Sequence, residues 1–110
     1  MGFGASQARF LALTAYQSDL ELRGQFINQV RMQLAQISGQ LFTANSNLTP
    51  GSQEMNYVQS QIAVIQSMDK ILEMQLRQVD TQRDAVQTEI DAVRKVIAKN
   101  IEQTFKTFSA

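Results

Sequence analysis

The sequence predicts an all-α protein in which two long helices form an antiparallel coiled-coil hairpin. Each half of the chain carries a heptad of apolar residues, and one cluster of turn-forming residues separates the halves. That cluster, TANSNLTPGSQEMN at 43–56, holds the only proline of the chain. Two heptad helices joined by a short turn fold back on each other. We therefore expect one domain, 1–110, with helix one at about 4–44, a Pro/Gly turn at 45–52 and helix two at about 50–107.

Helix one is predicted from an apolar residue at every seventh position. This series is Leu13, Leu20, Ile27, Leu34 and Leu41. Three residues after each member comes a second, mostly apolar series: Tyr16, Arg23, Val30, Ile37 and Ala44. Together the two series form one helical stripe. Ser18 and Glu21 also match a capping box, so a break near residue 17 is the alternative to one unbroken helix.

The turn is predicted from side chains that compete with the helical backbone. The polar run from Asn45 to Asn47 indicates the end of helix one. Thr49 then offers a hydroxyl as the N-cap of helix two. Pro50 would be the first helical residue, where its missing N–H costs nothing, with Gly51 after it.

Helix two repeats an apolar spacing of four and three residues from Val58 to Ile97. Its apolar members are Val58, Ile62, Ile65, Leu72, Leu76, Val79, Val86, Ile90, Val93 and Ile97. Asp69 and Arg83 occupy the same stripe. Charged groups there either fix the register by pairing across the seam or extend to its rim. The predicted intramolecular seam joins the Leu13 series to Ile62, Leu72, Leu76, Ile90 and Ile97.

Both helices carry more apolar residues than one seam uses. Beyond Ile97 the apolar spacing shifts, so the last turns of helix two face a different surface. The candidate contacts with other subunits are Phe3, Phe10, Leu22, Phe26, Phe42, Phe105 and Phe108. A two-helix hairpin buries little core by itself. We therefore expect a homo-oligomer, with a different protein partner or ordinary scattered surface hydrophobes as the alternatives.

Composition argues against several classes of function. Ten basic and ten acidic residues cancel, which gives nucleic-acid binding no electrostatic support. Histidine and cysteine are absent, so the usual zinc ligands and the commonest general base are missing. No apolar run is long enough for a transmembrane helix. We expect no enzyme, no cofactor and no metal site.

Two segments resemble a known family of proteins. NLTPGSQE resembles the proline-containing turn of bacterial type III secretion needle subunits, and VIAKNIEQTFKTF resembles their C-terminal tail. The resemblance implies a structural protein that forms a helical filament or tube. It also favours an extracellular or cell-surface location, reached without a cleaved Sec signal, over the cytoplasm. The alternative function is a coiled-coil adaptor or a chaperone-like binding module.

Overall fold

The computed structural model describes residues 2–109, and over that range the chain is all-α. Helix α1 spans Phe3–Ser46 and helix α2 spans Gln53–Ser109. The two helices pack against each other in an antiparallel hairpin, which confirms the predicted fold class.

Helix α1 runs without a break through the candidate capping box. Ser18 and Glu21 both lie within the helix, so that box is not used and the predicted alternative break near residue 17 does not occur. Asp19 forms an ion pair of 3.3 Å with Arg23, one turn further along. Leu20 is completely buried. A buried heptad residue therefore holds the chain helical where a local cap would have ended it.

Helix α1 ends where the polar run predicts. The Ser46 hydroxyl donates a hydrogen bond of 2.7 Å to the Thr43 carbonyl, and the Asn47 side-chain amide donates one of 3.3 Å to the same carbonyl. The backbone N–H of Asn47 also donates to the Ala44 carbonyl. Side chains thus satisfy the Thr43 carbonyl in the last turn of the helix, where no further helical turn follows.

The prediction for the start of α2 was wrong by three residues. The helix begins at Gln53, and its N-cap is Ser52, whose hydroxyl accepts a hydrogen bond of 3.1 Å from the Met55 N–H. Thr49 does not cap it, and Pro50 is not helical.

Thr49 to Ser52 instead form a tight turn. The Ser52 N–H donates to the Thr49 carbonyl at 3.1 Å, and Gly51 has a φ of +78°. Proline at the second position and a positive φ at the third are features of a type II turn, which strongly favours glycine at the third. Pro50 therefore preorganises a turn and not a helix start.

The hairpin divides into two compact units, each built from both helices. Unit 1 contains Met1–Arg23 and Val79–Ala110, and unit 2 contains Gly24–Gln78. The buried residues of unit 1 are Ser6, Leu20, Val79, Val86, Ile90 and Val93. Those of unit 2 are Ile27, Leu34 and Ile62, each still 7–8% exposed. Unit 2 therefore has the thinner core.

The corrected cap yields a test with a matched control. Ser52→Ala removes the acceptor for the Met55 N–H and should lower the free energy of unfolding by about 1 kcal/mol. Thr49→Ala removes a hydroxyl of the same kind that caps no helix, so it should change stability far less. Urea unfolding followed by circular dichroism at 222 nm measures both. Equal losses in the two variants would contradict the assignment of Ser52 as the cap.

Candidate interaction surfaces

The predicted seam residues all lie on the inner sides of the helices. In unit 1, Leu20 and Ile90 are buried, while Leu13 and Ile97 are half-buried. In unit 2, Ile27, Leu34 and Ile62 are buried, and Leu41, Leu72 and Leu76 are half-buried.

The second predicted series of α1 does not line the seam. Tyr16, Arg23, Ile37 and Ala44 are exposed, and only Val30 is half-buried. The half-buried positions of α1 instead lie four residues after Leu13 and after each later member of its series. They are Gln17, Gly24, Arg31, Ser38 and Asn45. Small and polar residues thus occupy half of the α1 seam, and apolar residues that fit the same heptad point outward.

This orientation of α1 brings together an ion pair in unit 2. Arg31 donates two hydrogen bonds to the Asp69 carboxylate, Nε to Oδ1 at 2.8 Å and Nη2 to Oδ2 at 3.2 Å. Asp69 lies on the α2 stripe, and 40% of its side chain is still exposed to solvent. With Val30 or Ile37 facing it, Asp69 would have no partner. The observed orientation supplies one in bidentate geometry.

The pair also changes the ionisation of its members. The hydrogen bonds from Arg31 lower the pKa of the Asp69 carboxyl below its ordinary value, against a smaller opposing effect of desolvation. The hydrogen bond to Asp69 in turn raises the pKa of Arg31. Both groups therefore stay charged at neutral pH.

The second charged residue of the predicted α2 stripe behaves differently. Arg83 is exposed and contacts Asp80 of its own helix, with Nη2 3.4 Å from Oδ1. Of the two predicted seam charges, only Asp69 pairs across the hairpin.

Unit 1 joins its helices through polar and aromatic contacts at the seam's edges. Arg9 pairs with Glu89 at 3.0 Å, and the Gln17 side-chain amide donates to the side-chain Oε1 of Gln87. The Arg94 guanidinium lies 5.5 Å from the centroid of the Phe10 ring, within range of a cation–π contact.

Six of the seven residues predicted to contact other subunits are exposed. They are Phe3, Leu22, Phe26, Phe42, Phe105 and Phe108. The seventh, Phe10, is half-buried and is covered in part by Arg94 of α2. Phe10 therefore contributes to packing within its own unit.

One side of unit 2 is an open groove that carries charge. Helix α1 contributes Asn28 and Ala35, which follow the buried Ile27 and Leu34 in sequence. Helix α2 contributes Gln66 and Glu73, which follow the half-buried Ile65 and Leu72. The groove also contains the charged residues Arg31, Asp69, Lys70 and Glu73. In an antiparallel pair, the residues one position after the stripe residues of each helix lie on the same side of the hairpin, and the groove follows that rule.

The opposite side of unit 2 carries no charge over 26–44 and 57–75, and we call that surface the uncharged face. From α1 it presents Phe26, Val30, Gln33, Ile37, Gln40 and Ala44. From α2 it presents Tyr57, Gln61, Val64, Met68, Ile71 and Gln75. Only Val30 and Gln61 are half-buried, and the other members are exposed. Of these residues, the sequence predicted only Phe26 as a contact with other subunits, although Tyr57, Val64 and Ile71 recur every seven residues and give a usable signal.

A second exposed apolar surface lies at the end of α2 in unit 1. Residues 101–108 are all exposed, and Ile101, Phe105 and Phe108 follow each other at four and three residues. Phe105 is 71% and Phe108 is 87% exposed. These three residues share one face of the helix, and no residue of α1 covers them.

The described residues were compared with the requirements of a metal site and of a membrane span. Within 2–109, no group of three or more acidic side chains is placed to hold a metal ion. None of the helices in that range is long and apolar enough to cross a membrane.

The Arg31–Asp69 pair predicts a specific loss of stability in acid. Because the folded state lowers the pKa of Asp69, the pair contributes fully above the ordinary aspartate pKa. Its contribution disappears as pH falls through the lowered value. Asp69→Asn should therefore destabilise the protein at pH 7 and make unfolding less sensitive to pH below 4. Thermal unfolding from pH 7 to pH 2 measures this, with Asp84→Asn, an exposed carboxylate of the same helix, as control. Parallel pH profiles for the two variants would contradict the role given to the pair.

Comparison with known proteins adds no relative: no protein-family model, no curated protein and no solved structure matches this chain. The chain is a two-helix, all-α hairpin.

Proposed function

We propose that this protein is a non-catalytic structural subunit that self-associates through its helices into a helical filament or tube. The observation that carries the proposal is the amount of apolar surface that the hairpin leaves uncovered. The large exposed residues are Phe3, Leu11, Tyr16, Leu22, Phe26, Met32, Ile37, Phe42, Tyr57, Val64, Met68, Ile71, Met74, Ile101, Phe105 and Phe108. Large exposed apolar patches mark sites of contact with other chains.

The distribution of that surface supports growth beyond a closed pair. Unit 2 carries the uncharged face, and unit 1 carries the separate stripe of Ile101, Phe105 and Phe108. A subunit with two different association surfaces binds more than one neighbour. Contacts between unlike surfaces continue into an open assembly unless their rotation closes a ring.

The resemblance to needle subunits supports the same proposal. The resembling turn segment contains Pro50 within a tight turn, and the resembling tail contains Phe105 and Phe108, both exposed. An assembly of this kind outside the cell is the location that we propose.

A coiled-coil adaptor or chaperone-like module is the second candidate. The groove that contains Arg31, Asp69, Lys70 and Glu73 favours it, because charges beside an apolar surface give selectivity for one partner. An adaptor needs no open-ended association, so the two candidates differ in their concentration dependence.

The proposal predicts association that increases with concentration. Purified protein should form fibres or tubes of uniform diameter as concentration rises, visible by negative-stain electron microscopy and as increasing light scattering. Phe105→Ser/Phe108→Ser removes the apolar stripe from the end of α2 and should stop growth at small oligomers. These side chains are largely exposed in the single chain, so the variant should keep its helical circular dichroism.

A substitution at an exposed apolar residue outside the predicted subunit contacts, Leu11→Ser, should leave growth unchanged if the effect belongs to the tail. A single small species at every concentration would overturn the filament and favour the adaptor. A monomer at every concentration would overturn self-association itself.

A further inference from the structure

We propose that the uncharged face of unit 2 is the surface through which two copies of this chain dock, forming a four-helix bundle. This inference rests on the proposed self-association and names the surface and the partner. The occupant is a second copy, with its own uncharged face turned inward.

The first argument is the spacing of the face on each helix. Phe26, Val30, Gln33, Ile37, Gln40 and Ala44 follow one another at four and three residues, and so do the six members on α2. This is the spacing by which one helix packs along another in a left-handed bundle. Each helix of unit 2 therefore carries a second heptad stripe beside the one that joins the hairpin.

The second argument is the angle between the two stripes. With about 100° per residue, the second stripe lies roughly 100° around the helix from the seam. In a square four-helix bundle each helix has two neighbours, and their directions differ by about a right angle. The equivalent flanks of α1 and α2 lie on the same side of an antiparallel pair. Both second stripes are thus presented together to one partner hairpin.

The third argument is electrostatic, and it identifies the partner as a second copy. The twelve residues of the face contain no acidic or basic side chain, so two identical faces meet without like-charge repulsion. Their polar members are all glutamines, whose side chains donate and accept hydrogen bonds and so complement their own kind. The same spacing continues to a charged residue on each helix, Arg23 on α1 and Glu54 on α2, and both are exposed.

The fourth argument is the area available against the area that a dimer needs. The face extends over about 18 residues of each helix, or roughly 27 Å, across two helices together about 20 Å wide. Two copies would bury on the order of 1,000 Å² in total, the lower limit for a specific interface. Unit 2 has only three buried apolar residues of its own, so it gains most from such cover.

Matched methionines provide the test. Met68 belongs to the uncharged face, whereas Met32 lines the charged groove and Met74 lies outside both; all three are exposed. Met68→Glu and Ile71→Glu each place a charge in the interface from both copies, so each should weaken dimerisation by at least about tenfold. Met32→Glu and Met74→Glu should leave it within about threefold. Analytical ultracentrifugation over a concentration series measures the dissociation constants.

Uncharged variants guard against an effect on folding. Ile71→Gln keeps the face neutral and should weaken dimerisation less than Ile71→Glu, while circular dichroism checks that each variant remains helical. Wild-type self-association with all four glutamate variants unchanged would overturn this inference and leave the proposed function standing. Equal weakening by Met32→Glu and Met68→Glu would also overturn it. A wild-type protein that stays monomeric would overturn both.

Discussion

One ion pair in unit 2 links the two helices and accompanies the orientation of α1. Asp69 interrupts the apolar stripe of α2 within unit 2, and its carboxylate remains 40% exposed. Arg31 meets it in bidentate geometry, and this contact requires the polar side of the α1 stripe to face inward. The apolar side, including Ile37, is then turned outward. The orientation that pairs Arg31 with Asp69 therefore also leaves Ile37 exposed.

That orientation gives the two sides of unit 2 different chemistry. The groove carries Arg31, Asp69, Lys70 and Glu73, which interact favourably with water and resist burial against another chain. The opposite side presents only apolar residues and glutamines. Desolvating glutamine is far cheaper than desolvating a charge, so burial is favoured on that side. The hairpin therefore has one side suited to solvent and one suited to a partner.

The two units differ in how much they bury. Unit 1 packs Leu20, Val79, Val86, Ile90 and Val93 in one core, most of them β-branched residues that lose little rotamer freedom on packing. Unit 2 buries three apolar residues and depends more on its ion pair and on its turn. A partly packed unit of this kind gains stability when another chain covers it. Association and folding are for that reason linked most closely in unit 2.

The sequence by itself determined the two helices and the position of the turn, because apolar spacing and turn residues act through local geometry. It also identified Asp69 as an unusual seam residue. The second α1 series and the N-cap were decided by tertiary structure. Val30 and Arg31, three and four residues after Ile27, both fit the heptad, and the packed structure places Arg31 against Asp69 across the hairpin. Likewise, Thr49 and Ser52 are both good caps, and the choice between them follows from the type II turn that reverses the chain.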